Sequence, residues 1–185
     1  MWIRPSLSAR ATHTFPVGLR NSVVLIADTA WVLGQPLENE LPGIAGQFDL
    51  RGYESDEGIG RGTLLGIVEH RWTLVSDMAV NVLHLAWIRE LQLAFFVGAG
   101  MVVEPSDQNR DCVLSDDLRV CRSPGAEQDV LGAAEVGGGL RIHFEYGGVQ
   151  PGVIAIDVGV PLTRDTEMAE GRPPIGVHFG FEQIL

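Results

Sequence analysis

The side chains that could perform chemistry are scattered along this sequence, and their spacing favours no reaction. All 13 basic residues are arginine, so the chain has no lysine for a Schiff base or a phosphate-binding loop. The glycine-rich segment 58–62 lies in a long predicted loop, whereas a dinucleotide site needs a strand before it and a helix after it. No Gly-x-Ser-x-Gly nucleophile elbow is present. The histidines lie far apart and predict no metal site: His13, His70, His84, His143 and His178. We therefore expect neither enzymatic activity nor a bound cofactor.

The two cysteines, Cys112 and Cys121, lie in a polar segment rich in Asp, Ser and Arg. Their spacing is unlike the paired Cys and His spacings of zinc sites. Two states are open to them. They are either free thiols or a disulfide that closes a small exposed loop, and the sequence favours the disulfide, which implies an oxidising compartment.

Composition excludes several classes of protein. Hydrophobic residues make up 45% of the chain and charged residues 20%, which is too apolar for a disordered protein. The net charge of -11 argues against nucleic acid as a partner, because phosphate groups bind cationic surfaces. The first residues do not read as a signal peptide, and the longest apolar run, 93–103, falls short of the roughly 20 residues of a membrane-spanning helix.

Alternation of apolar and polar residues is the strongest pattern in the sequence. It is clearest in 140–146, 154–162 and 175–182, and a similar run begins at Ile3. Successive side chains of a strand point to opposite faces, so each run predicts a strand with one apolar and one polar face. Less regular runs predict further strands at 22–33, 63–74 and 91–102.

The segment 78–89 fits two structures, a short helix or part of a strand with a turn, because its apolar residues also recur at helical spacing. Long polar connections are predicted at 34–62, 104–129 and 163–174, and they alternate with short turns. The sequence therefore predicts an all-β protein, an antiparallel meander of about seven strands.

Two architectures fit such a meander. In a soluble sandwich or barrel the apolar faces point inward, whereas in an outer-membrane barrel they meet lipid and the polar faces line the lumen. The length of the strands, the alternation of short and long connections, and the charges on the polar faces favour the membrane barrel. The charged residues expected in its lumen are Arg4, Arg10, Glu69, Arg71, Arg141, Glu145 and Asp157.

The segment Leu50-Arg51-Gly52-Tyr53 resembles the aliphatic-Arg-Gly-aromatic signature of the bacterial surface antigen family. That family comprises outer-membrane barrels that assemble or secrete other proteins, and its signature lies in the loop before the twelfth strand. Later segments resemble the following strands in the family's order: 66–72 the twelfth, 95–100 the thirteenth, 136–141 the fourteenth, 156–162 the fifteenth and 175–185 the closing sixteenth. The resemblance extends over essentially the whole chain.

The resemblance implies that the signature loop folds back into the lumen, where its arginine pairs with acidic groups of the next strands. Arg51 is then expected to contact Glu69 through a planar guanidinium that can bind carboxylate at two places. Gly52 would permit a close backbone approach, and Tyr53 would pack against the barrel wall.

The sequence departs from the family pattern at several places. In the thirteenth-strand motif, made here by Phe96, Gly98 and Gly100, Gly98 stands where the family has Asp, so one acidic partner of the loop is missing. Asp157 has the lumenal parity to substitute for it. The chain ends in Leu185, where most outer-membrane barrels end in Phe or Trp.

These features imply that residues 1–185 form the C-terminal part of an outer-membrane β-barrel domain, because the family barrel has 16 strands. The implied function is to assemble or translocate other proteins at the bacterial outer membrane. The implied partners are outer-membrane lipid, client outer-membrane or secreted proteins, and the missing N-terminal part of the same protein. Two alternatives stay open: a small oligomeric outer-membrane pore or structural barrel, and a soluble β-protein that binds lipid.

Overall fold

A computed structural model describes residues 5–33, 40–46, 48–54, 58–105, 112–115, 118–121, 130–147, 150–163 and 174–183. The predicted all-β antiparallel meander is confirmed. Across the described residues there is no helix with the length and hydrophobicity to cross a membrane.

Seven long strands form the main sheet, joined in the order β1-β2-β3-β5-β8-β9-β10. They are β1 (Ser6–Pro16), β2 (Asn21–Val32), β3 (Gly60–Val75), β5 (Ala86–Pro105), β8 (Val130–Tyr146), β9 (Gln150–Pro161) and β10 (Gly176–Gln183). The described residues also contain three short strands: β4 (Val80–Val82), β6 (Cys112–Ser115) and β7 (Leu118–Cys121). The sheet is open, because its edge strands β1 and β10 do not pair with each other in the described ladders.

The ambiguous segment 78–89 is a hairpin and not a helix. β4 pairs with the start of β5, and the turn between them places Leu83 and His84 at positive φ, 52° and 59°. Two hydrogen bonds hold the turn: the Leu85 amide donates to the Val82 carbonyl (3.0 Å), and the His84 amide donates to the Asn81 side chain (2.7 Å). The helical spacing of the apolar residues is therefore incidental.

The connections alternate in length from one end of the meander to the other. The β1–β2, β4–β5 and β8–β9 connections are short, whereas the β2–β3, β5–β8 and β9–β10 connections are long. Two of the predicted long connections differ in detail from expectation. β3 already begins at Gly60, and the predicted loop 104–129 contains the β6–β7 hairpin, which is not hydrogen-bonded to the main sheet.

The two faces of the sheet differ in character. One face, here called the inner face, carries Glu69, Gly98 and Asp157 and is covered by residues 40–46 and 48–54. The opposite face, the outer face, exposes large apolar side chains over most of the sheet: Leu25, Trp31, Leu64, Val68, Trp72, Phe95, Val97, Met101, Val136, Ile154, Val158, Val160, Val177, Phe179 and Phe181. The apolar alternation of the sequence therefore marks an exposed surface and not a core.

The buried apolar cluster lies between the inner face and the covering loop. The loop contributes Ile44, Leu50 and Tyr53, and the strands contribute Leu65, Ile67, Phe96, Val102 and Ala133. Because each group buries the other, the loop and the inner face form one packed unit.

The backbone pairing of β6 with β7 sets Cys112 directly opposite Cys121. Only the backbone of these two residues is described. We predict a disulfide between them. Thiol alkylation followed by mass spectrometry should label neither cysteine before reduction and both after it. Labelling of both residues without reductant would show free thiols.

Candidate functional site

The Leu50–Tyr53 signature lies at the tip of a loop that is shaped by its own backbone hydrogen bonds. The Leu50 amide donates to the Ile44 carbonyl (3.0 Å), and the Gly46 amide donates to the Leu50 carbonyl (3.1 Å). The base of the loop is closed by the Gly60 amide, which donates to the Pro42 carbonyl (3.0 Å). These bonds satisfy backbone groups that would otherwise be buried without partners.

Arg51 is the central side chain of the site and is only 6% exposed. One of its guanidinium nitrogens, Nη1, lies 2.8 Å from Glu69 Oε2 on β3, and Nε lies 3.5 Å from Asp157 Oδ2 on β9. The guanidinium also lies over the ring of Phe96 on β5, 4.2 Å from its centroid. One side chain thus joins three strands by two ion pairs and a cation–π contact.

Two further arginines, the buried Arg141 and the partly exposed Arg71, pair with the same carboxylates. Arg141 on β8 lies 2.5 Å from Asp157 Oδ1 and 3.3 Å from Glu69 Oε2. Arg71 on β3 lies 2.7 Å from Glu69 Oε1. Sequence reasoning placed both arginines in the lumen without assigning them to the loop site. The contacts of Arg141 cross strands, and they depend on a register that period-two alternation does not specify.

Gly98 leaves room for the loop. A Cβ atom at this position would lie 2.8 Å from Leu50 Cδ2, so Leu50 packs against the bare backbone of β5. Gly100, two residues along the same face, is close to the Ile44 side chain in the same way. The space that an aspartate side chain would occupy at position 98 is therefore filled by the Leu50 side chain.

Glu135 was missed by sequence reasoning. It lies on β8 directly opposite Gly98 in the β5–β8 ladder, it is fully buried, and its Oε2 accepts a hydrogen bond from the Gly52 amide. The strand carrying it was recognised from the glycines that follow, and no feature of the sequence alone singles this residue out. An acidic group is thus present beside Gly98, on the neighbouring strand.

The backbone of the tip lies against glycines of β9 and β10. A Cβ atom at Gly159 would meet the Arg51 and Gly52 backbone, and one at Gly176 would meet the Arg51 carbonyl. Tyr53 then fixes the far side of the tip. Its hydroxyl is 2.9 Å from the carbonyl oxygens of both Ala134 and Thr163.

The near side of the loop is bound to β1. Arg10 donates to Asp49 Oδ1 (3.0 Å) and to the Phe48 carbonyl (2.8 Å). Burial raises the pKa of the Asp49 carboxyl above its ordinary value, and the Arg10 guanidinium opposes this rise without cancelling it. Because Arg10 is exposed, this contact is weaker than the ion pairs of Arg51. Residues 48–53 therefore contact strands from β1 to β10, and we call them the brace.

The contacts of the brace are of the kind that hold strands together. The acidic groups that surround the brace, Glu69, Asp157 and Glu135, are bound by arginines and by a backbone amide. The described residues include no group of three or more side chains arranged to hold a metal ion. Of the other predicted lumenal residues, Glu145 pairs with Arg89 at 2.6 Å in an exposed position away from the brace, and Arg4 lies outside the described residues.

Removal of the Arg51 side chain should destabilise the chain strongly. We expect Arg51→Ala to lower the free energy of unfolding by about 3 kcal/mol, because it leaves Glu69 and Asp157 buried with fewer partners. Urea denaturation followed by tryptophan fluorescence measures this loss.

The matched control is Arg89→Ala, which removes an arginine from the exposed pair with Glu145. We expect that variant to lose about 0–1 kcal/mol. Equal losses in the two variants would contradict the central role of Arg51.

Comparison of the chain with family models, curated proteins and solved structures finds no significant match. The resemblance to the bacterial surface antigen family stays a prediction from the sequence motifs. The arrangement of the brace is therefore the main structural guide to function. Its basic tip is held among buried acidic side chains on the inner face of a sheet whose outer face is apolar.

Proposed function

We propose that this chain is the C-terminal part of an outer-membrane β-barrel of the bacterial surface antigen family, which assembles or translocates other proteins at the bacterial outer membrane. The protein makes and breaks no covalent bond in this role. The observation that carries the proposal is the distribution of charge between the two faces of the sheet.

The outer face of the sheet is suited to lipid. Along the described strands β2, β3, β8 and β9, the outward-facing positions contain no Asp, Glu or Arg. Val68, Val97 and Val158 are 45%, 50% and 41% exposed at the middle of their strands. A continuous exposed apolar surface of this kind is rare on soluble monomers and is typical of the lipid-facing side of a barrel.

The inner face has the opposite character. Arg51, Glu69, Glu135, Arg141 and Asp157 are all buried there. In a soluble β-sandwich this face would be the apolar core, and the charges would lie outside. The combination of an apolar exterior and a charged interior supports a polar lumen that is occupied by the brace.

The open edges of the sheet indicate that a partner supplies further strands. β1 is exposed along its whole length on both faces, and it pairs only with β2 among the described strands. Lipid cannot satisfy unpaired backbone groups, so an edge inside a membrane must be paired. We propose that the missing N-terminal part of the same protein pairs with it and completes the barrel.

The contacts of the brace are consistent with the proposed assembly or translocation of client proteins. A client strand can add to a sheet edge by backbone hydrogen bonding, which requires the edge strands to part while the rest of the barrel keeps its shape. The brace contacts strands near both edges, so it can hold the sheet together during such an event.

A charge placed on the outer face should prevent membrane insertion. We expect Val68→Arg to lower the fraction of chain recovered in the outer membrane, because an arginine near the bilayer midplane costs about 2–4 kcal/mol. Heat-modifiable migration in gels and carbonate extraction of membranes measure insertion.

Leu19→Arg is the matched control, since Leu19 is fully exposed in the β1–β2 turn, outside the strands. That variant should insert like the parent chain. If Val68→Arg instead left insertion unchanged, or made a soluble chain more soluble, the lipid-facing assignment would be wrong.

Fractionation of source cells tests localisation and size together. An antibody raised against segment 104–129 should detect the protein in the outer membrane, at an apparent mass well above 20.0 kDa if further strands belong to the same protein. A soluble band of that mass would contradict the membrane proposal.

The open sheet also favours one alternative, a small barrel in which several copies of this chain supply the strands. A membrane band at the mass of the chain, with oligomers after cross-linking, would support that alternative. A soluble lipid-binding protein is the remaining alternative, and it is favoured only by the soluble outcome.

A further inference from the structure

We propose that Glu135 is the positioning residue of the brace: its carboxylate, together with the bare backbone of Gly98 opposite it, forms a socket that fixes the backbone of the Leu50–Tyr53 tip across β8 and β9. The inference deepens the bracing role proposed above and depends on that role only for its functional consequence.

The first observation is the burial and bonding of Glu135. The residue is fully buried, and its Oε2 accepts the hydrogen bond of the Gly52 amide. Its other carboxylate oxygen, Oε1, has no hydrogen-bond partner among the described residues. A carboxylate buried with one unpartnered oxygen is costly, and the backbone amides of the tip, at Gly52 and Arg51, offset that cost.

The second observation is the shape of the socket. A Cβ atom at Gly98 would lie 2.8 Å from Leu50 Cδ2 and 3.3 Å from Glu135 Cγ. The Leu50 side chain and the Glu135 side chain therefore share the space above Gly98. Only a residue without a side chain leaves room for both at the separation seen here.

The third observation separates this role from that of Arg51. The Arg51 ion pairs are made by the guanidinium, at the far end of a long side chain and several bonds away from the backbone of the loop. The Glu135 contact is made to the backbone itself. Arg51 therefore ties the loop to the sheet, and Glu135 determines where its backbone lies.

Hydrogen–deuterium exchange of the folded chain, read by mass spectrometry on peptides covering 48–54, tests the proposal. In Glu135→Ala we expect exchange of this segment to rise at least about tenfold, with β3 and β5 unchanged. In Glu135→Gln exchange should stay near the parent value, because the amide oxygen still accepts from Gly52. Glu145→Gln is the control, since Glu145 lies on the same strand in an exposed pair.

Several results would overturn the proposal. They are unchanged exchange in Glu135→Ala, a uniform rise over the strands as well as the tip, and a Gln variant that exchanges as fast as the Ala variant. If Glu135→Ala does not fold, Gly98→Ala takes its place: faster exchange of the tip supports the socket, and unchanged exchange excludes it. These readouts do not depend on membrane location, so failure of the proposed function would be seen separately in fractionation.

Discussion

The ion pairs of Arg51 are the interaction on which the rest of the site depends. One guanidinium contacts Glu69 on β3 and Asp157 on β9, two strands that are separated in the sheet by β5 and β8. Because these carboxylates are buried, they need cationic partners to offset the loss of hydration. Arg51 therefore stabilises the sheet by neutralising these carboxylates together with Arg141 and Arg71, while the sheet holds the loop in place.

This interdependence explains the unusual placement of glycine and charge on the inner face. Phe96, Asp157 and the tip of the loop all occupy space above inward-facing glycines: Gly98, Gly137, Gly139, Gly159 and Gly176. Large inward side chains on these strands would fill the same space and exclude the loop. The interior is consequently filled by a separate segment of the chain, and the sheet tolerates charges that the segment neutralises.

Much of this arrangement could be predicted from the sequence, for a physical reason. Period-two alternation is a local property, so it predicted the strands, the meander and the inward parity of Glu69, Arg141 and Asp157. Alternation does not specify which residues lie opposite each other, so the proximity of Glu135 to Gly98 and Gly52 was not predicted. The hairpin at 78–89 was ambiguous, because its turn uses Leu83 and His84 at positive φ instead of the usual Asn and Gly. The family motif contributed the expected Arg51–Glu69 contact, which alternation alone could not supply.

The brace also has a consequence for strand sliding. A slip of one residue in an antiparallel ladder turns every side chain to the other face, and a slip of two residues moves each side chain by about 7 Å along the strand. Either slip would carry Glu69 or Asp157 out of reach of Arg51. Glycine-rich strands such as β8 are weakly specified in register by their own side chains. The loop therefore favours one register of the sheet, because its contacts form only when the strands that it touches are paired in that register.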